Sequence, residues 1–138
     1  MKRRSVHPLP IALVATHLDE VRDFLTVHLE DRGFSVEVCH RVEYLETVAP
    51  YADVCVCDVG YLHAASAVEP SPGEIVALSE TPSDGERAAV ERLGACDYFA
   101  LPFDDTERLA SVLDALASRA TERKMHQNER ELEAEPVA

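Results

Sequence analysis

The run Val54-Cys-Val-Cys-Asp58, set between Ala52-Asp53 and Val59-Gly60, constrains this chain more than any other segment. An apolar run that stops on a single carboxylate reads as a buried strand. In a chain that alternates short apolar runs with helical patterns, such a strand belongs to a parallel sheet. Open α/β sheets keep their chemistry at the carboxyl ends of the strands, so Asp58 falls where a ligand or a reaction is met.

The rest of the chain fits that frame. Ile11 to Ala15 is a second buried strand, followed by a helix from Asp19 or Glu20 with Val21, Phe24, Leu25, His28 and Leu29 on one stripe, closed by Gly33. Ser35 to Cys39 alternates polar and apolar residues as an edge strand does, and Val42 to Ala49 is a short amphipathic helix ended by Pro50. Between Val59 and Gly73 the pattern weakens, with Pro70, Pro72 and Gly73 as breakers, which predicts a loop with little helix. Ile75 to Leu78 is a fourth strand. Ser83 and Glu86 form a capping-box pattern for a helix carrying Ala89, Val90 and Leu93 to a Gly94 stop. Tyr98 to Leu101 is the fifth strand, and Asp104 caps a last helix with Leu109, Val112, Leu113, Leu116 and Ala117 buried. The expected fold is α/β: a (βα)5 doubly wound, five-stranded parallel sheet with right-handed crossovers and the third helix shortened or lost.

With 138 residues the chain has room for one domain with a real core, placed at residues 10–120. Residues 1–9 are expected to be a disordered N-terminus, and residues 121–138 a helical extension with a disordered acidic tail. Met1 to Pro10 is basic and Pro-broken and the apolar run after it is short, so neither a signal peptide nor a membrane span is expected and the location is cytoplasmic. A net charge of −13 argues against direct nucleic-acid binding, which needs clustered Lys and Arg; Lys2-Arg3-Arg4 is too short to reverse it. Lysine is confined to Lys2 and Lys124, and this Arg-over-Lys acidic bias resembles the proteins of salt-in halophilic archaea. Cys39, Cys55, Cys57 and Cys96 show no CxxC pair and no zinc-finger spacing; Cys55 and Cys57 share one strand face as small hydrophobes.

Over Ile11 to Ala120 the chain resembles the CheY-like receiver domains of two-component response regulators. The third strand ending in Asp58 looks like the one carrying the phosphoacceptor. Val76-Ala-Leu-Ser79 looks like the fourth strand with its Ser/Thr. Leu93-Gly-Ala-Cys-Asp-Tyr98-Phe-Ala-Leu-Pro102-Phe103 is similar to the fifth-strand block with its aromatic switch position. The resemblance implies a flavodoxin-like fold, Asp58 as phosphoacceptor, and Ser79 and Tyr98 as the switch pair.

Three positions depart from the family. Its acidic pair after the first strand, which joins the acceptor in holding Mg²⁺, is matched here by Thr16 and His17, and its lysine before the proline by Leu101. A charge pair 4 Å apart at an effective dielectric of 20 is worth roughly 4 kcal/mol before desolvation, so losing two acids weakens a hard-cation site by orders of magnitude. Asp58 and Gly60 are left as weak Mg²⁺ candidates, Asp19 and Glu20 read as helix-start charge, and no metal or other cofactor is expected. An imidazole at His17 could pair with Asp58 or take a softer ion such as Zn²⁺, but one His and one Asp do not make a metal site, and a hydrogen-bonding role at the pocket rim is the expectation. Leu101 has no charge to offer a phosphoryl oxygen.

These departures imply a degenerate receiver: a single-domain signalling protein, not an enzyme, acting in phosphorelay or two-component signalling by protein contact with a histidine kinase or an effector, independently of phosphorylation. The fourth helix, fifth strand and fifth helix, with Arg87, Arg92 and Arg108, are the expected partner or homodimer face. The competing expectation is a working phosphoprotein that takes a phosphoryl group on Asp58 from a histidine kinase. Flavin binding at the same crevice has little support, because Thr16-His-Leu-Asp19 is not a Gly-rich phosphate cradle.

Overall fold

In the computed structural model, which describes residues 9–69 and 71–134, five parallel strands form one sheet. Strands β1 (Ile11–Ala15), β2 (Ser35–Cys39), β3 (Val54–Asp58), β4 (Glu74–Ser79) and β5 (Ala95–Ala100) lie in the order β2-β1-β3-β4-β5. Helices α1 (Asp19–Glu30), α2 (Val42–Val48), α3 (Val59–Ala67), α4 (Asp84–Arg92) and α5 (Thr106–Ala134) connect and flank them. The strand order reverses between β1 and β3, which is where open parallel sheets bind ligands.

Two apolar layers hold this arrangement. Side chains alternate across a strand. Ala12, Val14, Val54, Val56, Val76, Leu78 and Phe99 therefore face α1 and α5, meeting Leu25, Leu29, Leu109, Leu113 and Leu116. The intervening residues Leu13, Ala15, Cys39, Cys55, Cys57 and Ala77 face the opposite layer, with Leu45, Leu62, Ala65 and Val90. Every residue of β3 is buried, as a central strand requires. Cys39, Cys55 and Cys57 are free, buried thiols on one face, and burial is among the causes that raise Cys57 well above an ordinary thiol, first among them a hydrogen bond with Cys55.

Three expectations are corrected. The β3–β4 crossover is not a loop: α3 starts directly after Asp58 and runs nine residues, because Leu62 and Ala65 are buried and Gly60 falls in the tolerant first turn. β5 starts at Ala95 rather than Tyr98, and a register shift opposite Ile75 and Val76 leaves Cys96 exposed in place of an apolar repeat. Asp105, not Asp104, caps α5, its Oδ1 accepting from Arg108 N at 2.9 Å. The helical extension expected after Ala120 is present, and α5 runs to Ala134. Arg119 and Arg123 hold the carboxylate of Glu74 at 2.8 and 3.1 Å, and Lys124 lies 3.5 Å from Asp53, which tie the extension to the amino ends of β3 and β4. Residues 1–8 and 135–138, including the expected N-terminal and acidic tails, lie outside the described residues.

Candidate functional site

Asp58 ends β3 as the residue before α3 and is 7% exposed. An aspartate at an N-cap ordinarily accepts from its own helix, but this one makes no such bond. Its Oδ2 instead accepts from the backbone N–H of His17 at 2.9 Å and faces His17 Nδ1 at 2.6 Å. Its Oδ1 is buried without a hydrogen-bond partner. The other ring nitrogen, Nε2, lies 3.0 Å from Glu80 Oε2, so one imidazole bridges two carboxylates. Its hydrogen bond to Asp58 is the largest cause holding the His17 pKa above 6.5; partial burial opposes it, and the charges of Asp58 and Glu80 add to the rise.

The other expected site residues divide into those that meet Asp58 and those that do not. Ser79 and Gly60 line the same cleft of about 380 Å³, together with His17, Asp58, Glu80 and Glu86. Thr16 is buried, and its Oγ accepts from Leu18 N at 3.2 Å, which shapes the β1–α1 turn. Leu101 is 7% exposed and packs in the α1/α5 layer. With Leu18, Val21, Pro102, Asp19, Glu20 and Glu80 it lines a second hollow of about 260 Å³, so Asp19 and Glu20 stand beside the cleft rather than in it.

Tyr98 is buried. Its hydroxyl donates to Glu86 Oε1 at 2.5 Å and accepts from Ser83 N at 3.3 Å, while the Arg87 guanidinium lies 5.2 Å from its ring centre. Burial and the Glu86 hydrogen bond raise its pKa, with Ser79 acting the other way. The Ser83 hydroxyl accepts from Glu86 N at 3.0 Å, so half of the capping box forms. The Glu86 carboxylate goes to Tyr98. Ser79 Oγ accepts from Thr81 N at 3.1 Å. Arg108 pairs with Asp97 and lies over the Phe99 ring, while Arg92 Nε bonds the Ala88 carbonyl.

Glu80 and Glu86 are the site residues that sequence reasoning missed. Glu80 lies on an exposed turn outside any periodic pattern, and Glu86 carried a complete local explanation as a capping residue. Among the described residues, no group of three or more His, Cys, Asp or Glu side chains is placed to hold a metal ion. No helix among them is long and apolar enough to cross a membrane.

No protein-family model and no curated protein sequence matches the chain, so likeness is carried by structure. A response regulator from Thermotoga maritima is 20% identical with a TM-score of 0.67, over 80% of this chain and 99% of that one. The receiver domain of a sensor histidine kinase from Pseudomonas aeruginosa, with magnesium in its active-site cleft, is 18% identical with a TM-score of 0.62, over 80% and 99%. An atypical orphan response regulator described as having a phosphorylation-independent regulatory mechanism is 19% identical with a TM-score of 0.61, over 78% and 95%. The fold is therefore the flavodoxin-like fold of receiver domains, shared with both ordinary and orphan regulators.

Proposed function

We propose that this chain is a degenerate receiver of two-component signalling that acts through protein contact rather than through phosphorylation of Asp58. The observation that carries the reading is the His17 side chain seated on Asp58 Oδ2 at 2.6 Å, in the position where the resemblance places an acidic metal ligand. The donors at this edge do not fit Mg²⁺. A hard cation needs several oxygens, and Thr16 Oγ is spent on its own turn while His17 presents nitrogen. No phosphoryl-transfer step is routed through a metal here. Leu101, buried among apolar side chains, supplies no cation for a phosphoryl oxygen.

The partners are a histidine kinase or an effector, met through α4, β5 and α5, a face that also suits a second copy of the chain. An acidic protein of this Lys-poor composition is suited to high salt. The reading of Asp58 as a working phosphoacceptor keeps one observation in its favour, the unpartnered Oδ1. The experiment that separates the two is an amide NMR titration at high salt with Mg²⁺ and then beryllofluoride, beside Asp58→Asn. Absence of a response in the folded protein is expected. Saturable shifts at Asp58, Ser79 and Tyr98 that vanish in the variant would establish the phosphoacceptor instead.

A further inference from the structure

The Asp58 edge is acidic without a matching fixed cation. Asp58, Glu80 and Glu86 line the cleft, Asp19 and Glu20 the adjoining hollow, and neither lining includes a lysine or arginine. Of these acids Asp19 already has a fixed cation, Arg22 at 2.9 Å, and the Arg87 guanidinium is engaged over the Tyr98 ring, which leaves Asp58 and Glu80 without one. Among the described residues, the titratable cation facing Asp58 and Glu80 is His17, whose side chain is 56% exposed. A second observation points to a ligand. Asp58 is more than nine-tenths buried, lines this cleft, and has an oxygen, Oδ1, with no donor. A buried acceptor left unmade is a costly arrangement that a bound donor relieves.

We infer that the Asp58 cleft is a socket for an arginine or lysine side chain presented by a partner protein, with the exposed His17 ring filling the place of that side chain in the free protein. The inference rests on the phosphorylation-independent reading and names the partner chemistry for that same edge. His17 already makes the contacts such a cation would make, one to Asp58 and one to Glu80. A guanidinium carries five donors, enough to take over those contacts and to reach Oδ1 as well. The adjoining hollow adds Leu18, Val21, Leu101 and Pro102, an apolar floor for a side chain next to the cation. Leucine at position 101 then has a use that lysine would not: it removes a charge that would repel the incoming cation.

Proton binding at His17 and cation binding in the socket oppose each other. The groups facing the ring are Asp58 from β3 and Glu80 from the turn after β4. Asp19 and Glu20 from α1 and Glu86 from α4 border the same edge. Of these groups His17 is the one whose ordinary pKa lies near neutral.

The test uses the full chain at the lowest salt at which its amide spectrum stays that of the folded protein, where charge pairing is least screened. Amide shifts are followed while acetyl-Leu-Arg-amide is added, with acetyl-Leu-citrulline-amide as the uncharged isostere. Saturable shifts at His17, Asp58, Ser79 and Glu80 are expected with the arginine peptide, lost with citrulline and lost in Asp58→Asn. His17→Ala should bind more tightly. Affinity in the unsubstituted protein should rise by up to about tenfold per pH unit while His17 is losing its proton. Equal shifts with citrulline, or shifts that persist in Asp58→Asn, would overturn the socket. If replacing Lys2, Arg3 and Arg4 by Gln moves these signals with no peptide present, the chain's own basic end is the occupant and the partner assignment fails. An Asp58-dependent beryllofluoride response would overturn the functional reading separately, since that probe is an anion and reports phosphoacceptor chemistry.

Discussion

The bridge from Asp58 through His17 to Glu80 makes stability depend on pH in a direction that can be worked out. A protonated ring donates from Nδ1 at 2.6 Å and from Nε2 at 3.0 Å. A hydrogen bond to a charged group contributes about 1.5–3 kcal/mol when shielded, and an exposed ion pair about 0.2–1 kcal/mol. The His17 side chain is 56% exposed while that of Asp58 is 10% exposed, which discounts the pair to about 1 kcal/mol. In a domain of this size that is roughly 3–5 °C of melting temperature.

Because the His17 pKa is higher in the folded chain than the ordinary 6.5, folding takes up a proton where the two states differ. The stabilisation is complete below about 6.5 and is lost as pH rises through the folded value. Thermal melts of the unsubstituted protein and of His17→Gln, from about pH 5 to about pH 9, read this directly. Glutamine keeps an amide donor and removes the charge. The unsubstituted protein should melt higher at the acid end, with the gap closing toward the alkaline end. A gap that stays constant, or that widens with pH, would refute the assignment of His17 as the charge that balances Asp58.

Two further predictions test the frame around the site. Gly73 lies where an added Cβ would stand 2.5 Å from the Asp53 carbonyl oxygen, a backbone atom that cannot turn aside. Gly73→Ala should therefore cost about 1–3 kcal/mol in a urea unfolding series, and an unchanged midpoint would mean that the β3–β4 approach relaxes. Burial pushes the Glu74 carboxyl up, but Arg119 and Arg123 together hold it below its usual value. Its contribution is therefore present above the usual carboxylate pKa of about 4.3 and lost as pH falls through the lower folded value. Glu74→Gln should speed amide exchange at residues 119–127 while leaving β3 protected, and uniform protection would separate the α5 extension from this clasp.

The legible parts of the fold are those where one local pattern had one physical outcome. β1, β2 and β3 run between the expected residues because each has a clear period-two or continuous apolar signal bounded by breakers. α3 was expected to be shortened or lost because its burial needs only Leu62 and Ala65, with its remaining packing supplied by partly buried Val59, Tyr61 and Ala64. The start of β5 escaped because a bulge at an edge strand breaks the alternation that announces a strand. At the site, Asp58 was visible as a carboxylate ending a buried run. His17 was legible as a pairing candidate once both residues fell at the mouth of the sheet, but the second contact of its ring, to Glu80, was not, since it depends on how the turn after β4 places an exposed carboxylate.

Thr16, His17 and Leu101 look like three separate departures in the sequence, and the proposed reading joins them as one change in charge. A buried carboxylate at this edge needs positive charge, and the receiver pattern supplies it with a metal and a lysine. On the proposed reading, Thr16, His17 and Leu101 stand where that pattern has its acids and its lysine, while Asp58 stays buried. His17 supplies the missing charge from within the chain, and Thr16 fixes the turn that delivers it through its bond to Leu18 N. The replacement differs from a metal and a lysine in one consequence: imidazole can give up its charge, so the balance at Asp58 becomes conditional on protons.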